Sequence, residues 1–131
     1  MIVDSSAIIA LLRDEPEAQR VMSALASASV RRMSAFSLFE SRVVLGRRYG
    51  DAMLRELDIL MVKLEMQVEA FTADQSAIAF AAYQRFGKGT GHSAQLNLGD
   101  CAAYALAKSY DEPLLFVGTD FSKTDIQAAV E

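Results

Sequence analysis

The spacing of apolar and polar positions changes several times along the chain, and each change marks an element. MIVD is a short apolar run that reads as a strand, and SSAIIALLRDEPEA leads helically away from it. In PEAQRVMSALASA the apolar residues Val21, Met22, Leu25 and Ala28 recur at helical spacing. RRMSA is a short candidate strand, followed by FSLFESRVVLGRRYG and DAMLRELDILMVKLEM as two helices broken at Gly50–Asp51. QVEAF alternates like a strand, and ADQSAIAFAAYQRFG is a helix that Gly87 ends. KGTGHSAQLN reads as a flexible loop. LNLGDCAAYALAK is an alanine-rich helix, and PLLFVG is an apolar strand between Pro113 and Gly118. There is no internal repeat or low-complexity tract. Strands alternating with helices predict an α/β fold with a mainly parallel sheet, and such sheets bind ligands beyond the carboxyl ends of their strands.

Four acids stand at those ends. Asp4 closes the first strand, Glu40 lies in the first turns of the helix after RRMSA, Asp100 heads the alanine helix, and Asp120 follows LLFVG in GTDF. Their neighbours are apolar, unlike those of the surface pairs Asp14–Glu15 and Asp111–Glu112. Singly, Asp4, Asp100 and Asp120 are explained as helix caps or turn formers. Glu40 resists that reading, because it interrupts the apolar face of Phe36, Phe39 and Val43. Jointly, carboxylates in one cleft repel one another unless a cation neutralises them. A hard divalent ion such as Mg²⁺ does so with oxygen ligands. Zinc is disfavoured, since His92 is the single histidine and no cysteine or histidine accompanies the acids at ligand spacing.

Composition narrows the class. The 131 residues fit one domain spanning 1–131, and 52% hydrophobic with 23% charged residues excludes a disordered chain. No apolar run approaches the roughly 20 residues of a membrane span. MIVDSS has no basic signal-peptide start, and the lone Cys101 fits a reducing cytoplasm and a buried position. A net charge of −4 argues against nucleic acid as a partner. That objection weakens if four of the acids share bound cations. Thirteen basic residues remain, among them Arg31, Arg32, Arg42, Arg47 and Arg48. FGKGTGHS follows a helix rather than a strand, so it is not a P-loop, and His92 reads as a polar loop residue. The helix of residues 51–66 is more apolar than one buried face requires. Its methionines Met53, Met61 and Met66 suit a groove that accepts a partner's helix.

VDSSAIIALLRDEPEA, SAFSLFES, LNLGDCAAYALAK and LLFVGTDFSKTDI together resemble the PIN domain, and most closely the VapC ribonuclease toxins of bacterial toxin–antitoxin pairs. The resemblance spans nearly the whole chain, with the motifs in the family's order and spacing. It implies an RNase H-like α/β/α sandwich, Mg²⁺- or Mn²⁺-dependent endoribonuclease activity, a cognate VapB-type antitoxin and a homodimer. Asp4, Glu40, Asp100 and Asp120 match the family's acidic quartet, and Ser6 matches the small hydroxyl residue after the first acid. Thr119 stands where relatives often carry Asn or Asp. The loop GKGTGHSAQLN lacks the arginine and proline of the GKG-R-H-P-A form in similar proteins. In this reading Asp4 and Asp100 hold the metal, Asp120 completes the ligand set or holds a second ion, and Glu40 orients or deprotonates the attacking water. The antitoxin groove is expected around residues 51–66 and the helices near 7–28, with Leu57 and Met61 facing it. Three alternatives stay open: a PIN-fold nuclease of RNA processing, one acting on DNA, and a non-catalytic binding module. A phosphatase with an aspartyl nucleophile would want a second Asp where Ser6 stands.

Overall fold

The computed structural model describes residues 1–130. Its strands are only two or three residues long, so the sheet depends on what covers it. In chain order the elements are β1 (Ile2–Val3), α1 (Ser5–Leu12), α2 (Ala18–Ser27), β2 (Arg32–Ser34), α3 (Ala35–Tyr49), α4 (Asp51–Lys63), β3 (Gln67–Glu69), α5 (Ala73–Phe86), α6 (Leu98–Tyr110) and β4 (Leu114–Leu115), then a 3₁₀ turn at Phe121–Lys123. The strands line up β3-β2-β1-β4, and every pair is parallel, with Ile2 opposite both Arg32 and Leu114. Parallel neighbours need crossover connections, and the helices supply them.

Alternation along the strands divides the core into two halves. Ile2 and Leu114 pack against Ala79, Phe86, Tyr104 and Leu106 of α5 and α6. Val3, Met33 and Leu115 face the other way, onto Ile8, Leu25, Leu45 and Leu57 of α1 to α4. The sheet is therefore covered on both faces, as parallel sheets are, and the fold is the expected α/β/α sandwich. Each fully buried leucine or isoleucine contributes about 2 kcal/mol of transfer free energy. Helix α6 is buried at Gly99 and from Cys101 to Ala107, and its run of alanines lets α5 and the sheet approach closely. Cys101, 2% exposed, is the small buried hydrophobe its context predicts, and burial, then the Asp100 charge, pushes its thiol up to about 11.

At the amino ends of the strands, Arg32 bridges Glu112 and Glu69, each at 3.1 Å, and lies 4.3 Å over the Tyr110 ring. Arg31 donates to the carbonyls of Leu64 and Ala28, at 2.8 and 2.6 Å. These two arginines brace the fold. PLLFVG forms a shorter strand than its apolar run suggests. Beside it, Leu114 donates to Gln127 O and Ala129 donates to Leu114 O, both at 2.9 Å, so the chain's own tail covers the β4 edge.

The order β3-β2-β1-β4 places the reversal of chain progression between β1 and β4. The carboxyl ends of those two strands are therefore where a ligand crevice belongs. There Asp4 N–H donates to Leu115 O at 2.9 Å, and Val117 N–H donates to Ser6 Oγ at 3.0 Å. Those bonds hold the exits of β1 and β4 together.

Candidate active site

Asp4 ends β1 and caps α1, its Oδ2 accepting Ser6 N–H at 3.1 Å. The side chain is 2% exposed, and its Oδ1 is buried without a hydrogen-bond partner. Burial pushes the carboxyl up to about 6; the Ser6 hydrogen bonds pull down, and the Glu40 charge pushes further up. Capping explains one oxygen of Asp4. It leaves the other unexplained.

Glu40 sits in the second turn of α3, half-buried, and its Oε1 accepts the Ser5 hydroxyl at 2.7 Å. Its carboxylate lies against the backbone of Gly99, so close that a Cβ at that position would overlap it. Gly99 is needed here for space rather than for its backbone angles.

Asp100 is not the cap of α6, as its place at the head of the helix suggests. Asn97 is the cap, its Oδ1 accepting Asp100 N–H at 2.8 Å, while Asp100 Oδ2 accepts Asn97 N–H at 3.0 Å. This reciprocal capping box fixes the Asp100 side chain on the first turn. Burial pushes its carboxyl up to about 7; the Asn97 hydrogen bond opposes this, and the charges of Asp4, Asp120 and Glu40 add to the rise.

Asp120 is exposed and precedes the 3₁₀ turn without a side-chain capping bond. Its charge nevertheless reaches Asp100. Thr119 is exposed and offers its carbonyl to the Ser122 hydroxyl, and Ser6 is engaged by Val117 N–H.

The four acids come from four separate segments, yet their charges act on one another. None enters an ion pair among the described residues. Equally, among the described residues no three His, Cys, Asp or Glu side chains are drawn together as a ready-made metal cage. Like charges without a counter-ion do not close on one another, and Mg²⁺ takes only one or two direct carboxylates and keeps several waters. The donor set, hard oxygens including the unpartnered Oδ1 of Asp4, fits such an ion. Asp4 and Asp100 are the best-held candidates, with Glu40 and Asp120 at the margin.

Two contributors lay outside the sequence reading. Ser5, buried, orients Glu40 across 35 positions of sequence, which no local pattern signals. Asn97 was signalled by the spacing N-x-x-D before an apolar helix.

Away from the acids, a groove of about 550 Å³ runs between α3, α4 and β3, lined by Leu38, Arg42, Met61, Val62, Met66 and Val68. Met61 faces it as expected. Leu57 does not: it is wholly buried in the core, and none of residues 7–28 lines the groove.

The chain matches the PIN domain family over residues 1–127. It is 50% identical over 131 residues to VapC ribonuclease Mb0625 of Mycobacterium bovis, covering 100% of this chain and 98% of the relative. Among solved structures it resembles the sarcin-ricin loop cleaving toxin VapC20 of Mycobacterium tuberculosis, with TM-score 0.80, 20% identity and coverage of 99% and 98%. It also resembles a toxin–antitoxin complex from Klebsiella pneumoniae, with TM-score 0.67, 18% identity and coverage of 92% and 89%. With full-length identity of this order and a family match over nearly every residue, the chain belongs to the PIN-domain family, among its VapC-type ribonucleases.

Proposed function

We propose that this protein is a Mg²⁺- or Mn²⁺-dependent endoribonuclease, the toxin of a toxin–antitoxin pair, and that Asp4, Glu40, Asp100 and Asp120 form its active site. The observation that carries the reading is a set of mutually repelling carboxyls with no cationic partner among the described residues, one of whose oxygens is buried and unpartnered there. Asp4 and Asp100 would hold the ion, with Asp120 and Glu40 completing its surroundings. When bound, the ion supplies charge neutralisation for the carboxyls and for the scissile phosphodiester. Glu40, steadied by the Ser5 hydroxyl, is the base that takes the proton of the attacking water. Ser6 positions the exit of β4, and with it Asp120, by accepting Val117 N–H. Thr119 offers a free hydroxyl at the rim.

The partner is a VapB-type antitoxin whose apolar segment fills the groove of Leu38, Met61, Val62 and Met66. The likeness to a solved toxin–antitoxin complex supports this partnership. A second apolar surface, with Phe39 62%, Phe80 62% and Leu98 69% exposed, suits a second copy of the chain. Phe80 and Leu98 line one hollow with Phe36, against which Phe39 packs, and an exposed apolar cluster of this kind marks an interface. Purified protein freed of antitoxin should cleave RNA with Mg²⁺, stop in EDTA, and leave single-stranded DNA intact. Undiminished cleavage in chelator would remove the metal from the reading, and DNA cleavage at an equal rate would remove RNA.

A further inference from the structure

The glycine-rich loop between α5 and α6 has no part in the chemistry above, yet it is a built structure. Lys88 N–H donates to Leu96 O at 2.8 Å and Leu96 N–H to Phe86 O at 3.0 Å, closing the loop at its base. The Thr90 hydroxyl donates to Gly87 O, the Tyr83 hydroxyl to Lys88 O, and Ala94 and Leu96 are wholly buried. The flexible loop expected from composition is pinned. It encloses a concavity of about 410 Å³ lined by Lys88, Gly89, Gly91, His92, Ser93 and Gln95.

Every functional group on that wall is a donor or neutral. Gly89, Gly91 and Gln95 have positive φ, of 90°, 88° and 52°. Their amides and that of Ser93 donate to no acceptor among the described residues. Successive amides around left-handed residues make anion-binding nests. His92 is held by T-shaped packing against the Phe86 ring and by Nδ1, which accepts Ala94 N–H at 3.0 Å. An accepting Nδ1 leaves the ring proton on Nε2, which is thereby a donor. Lys88 enters no ion pair among the described residues. Lys123, three residues beyond Asp120, reaches across to Ser93 O at 3.4 Å. The loop runs directly into Asn97 and the Asp100 capping box. An acidic centre repels the RNA it cuts unless basic groups beside it hold the phosphates.

We propose that residues 88–95, with Lys123, form a phosphate-binding cup that holds the RNA backbone beside the acidic cluster. Lys88 and Lys123 supply charge, and His92 Nε2–H and the loop amides supply hydrogen bonds. The proposal rests on the ribonuclease reading above and adds the residues that position its substrate.

The test is anisotropy of a labelled single-stranded RNA, titrated in EDTA at several salt concentrations, beside cleavage kinetics in Mg²⁺. Each lost phosphate contact on a single strand removes about 0.7 from the slope of log K against log salt. Lys88→Ala with Lys123→Ala should therefore flatten the slope by about 1.4 and weaken binding about 25-fold at 0.1 M salt. KM should rise while kcat and the melting temperature stay near wild type. His92→Asn, whose amide reaches the place of Nδ1, should keep the Ala94 contact yet bind RNA several-fold more weakly. His92→Gln, which reaches the place of Nε2, should recover most of that loss. An unchanged slope in the lysine variant of a protein that cleaves RNA overturns the cup and leaves the ribonuclease reading standing. A flattened slope in a protein that binds but does not cleave keeps the cup and overturns the activity. Wild-type binding by His92→Asn reduces that residue to a brace of the loop.

Discussion

Replacing Asp100 by asparagine separates its capping role from its role in the charge cluster. The asparagine carbonyl still accepts Asn97 N–H, so the capping box survives and helix α6 should keep its first turn. What disappears is a carboxylate whose folded pKa is about 7, against an ordinary 3.8. Such an acid binds its proton more tightly folded than unfolded. Its ionisation therefore destabilises the fold, and metal-free stability falls as pH rises from about 4 to about 7. A rise of about 3 units corresponds to a ceiling of about 4 kcal/mol above pH 7. Water entry and side-chain relaxation lower that to about 2 kcal/mol. Metal-free Asp100→Asn should melt about 8 °C above wild type at pH 8, at roughly 4 °C per kcal/mol for a chain of this size. At pH 4 the two should melt together, because Asp100 is then protonated and uncharged in the fold. Adding Mg²⁺ should reverse the order at pH 8: wild type gains about 2.7 kcal/mol at 100 times its dissociation constant, and the variant gains little. RNA cleavage should fall by orders of magnitude. The assay is thermal unfolding by circular dichroism across pH, with and without Mg²⁺. A melting difference that is the same at pH 4 and pH 8, with equal responses to Mg²⁺, would refute the account.

Gly99→Ala should drive its new methyl into the Glu40 carboxylate, costing about 1–2 kcal/mol in urea unfolding and at least tenfold in kcat; normal kcat would show that Glu40 moves without consequence. Met61→Lys should leave the fold intact and weaken antitoxin binding in calorimetry, whereas Leu57→Lys buries an unpaired charge and should cost about 4 kcal/mol or more, seen as lost folding rather than lost affinity. If the Met61 variant binds antitoxin as tightly as wild type, the groove is not its seat. Phe80→Glu should turn a dimer into a monomer in light scattering, and an unchanged mass would assign that apolar patch another purpose.

Apolar spacing located the six α-helices and four strands, most of which bury one face or stripe, while the 3₁₀ turn at Phe121–Lys123 carries no such signal. Less legible were features made by backbone alone. The bridge beside β4 is made by Gln127, Ala128 and Ala129, whose side chains carry no strand signal, and its bonds run between main-chain groups. In the N-x-x-D pair Asn97 and Asp100 cap each other, and either residue type serves as a helix cap, so the spacing alone does not say which one is the cap. The direction of Leu57 is not legible in sequence either: on a helix with more apolar residues than one face holds, only packing tells which of them face the core. The loop of residues 88–95 looked mobile from its glycines, while its closure depends on bonds to Tyr83, Phe86 and Leu96 that composition does not reveal.

Three of the four acids share a geometry that constrains their denticity. Asp4 offers Oδ2 to Ser6 N–H, Glu40 offers Oε1 to the Ser5 hydroxyl, and Asp100 offers Oδ2 to Asn97 N–H. Each carboxylate thus has one oxygen engaged by the chain and one left over. Chelation through both oxygens of any of them would make one oxygen serve the cation and, at the same time, the bond that anchors or orients an element. A cation that takes only the left-over oxygens would make one contact per carboxylate, leaving most of its coordination sphere to water and substrate oxygens. That arrangement matches the small, six-coordinate, water-retaining ions. It disfavours Ca²⁺, whose larger sphere is commonly filled by bidentate carboxylates.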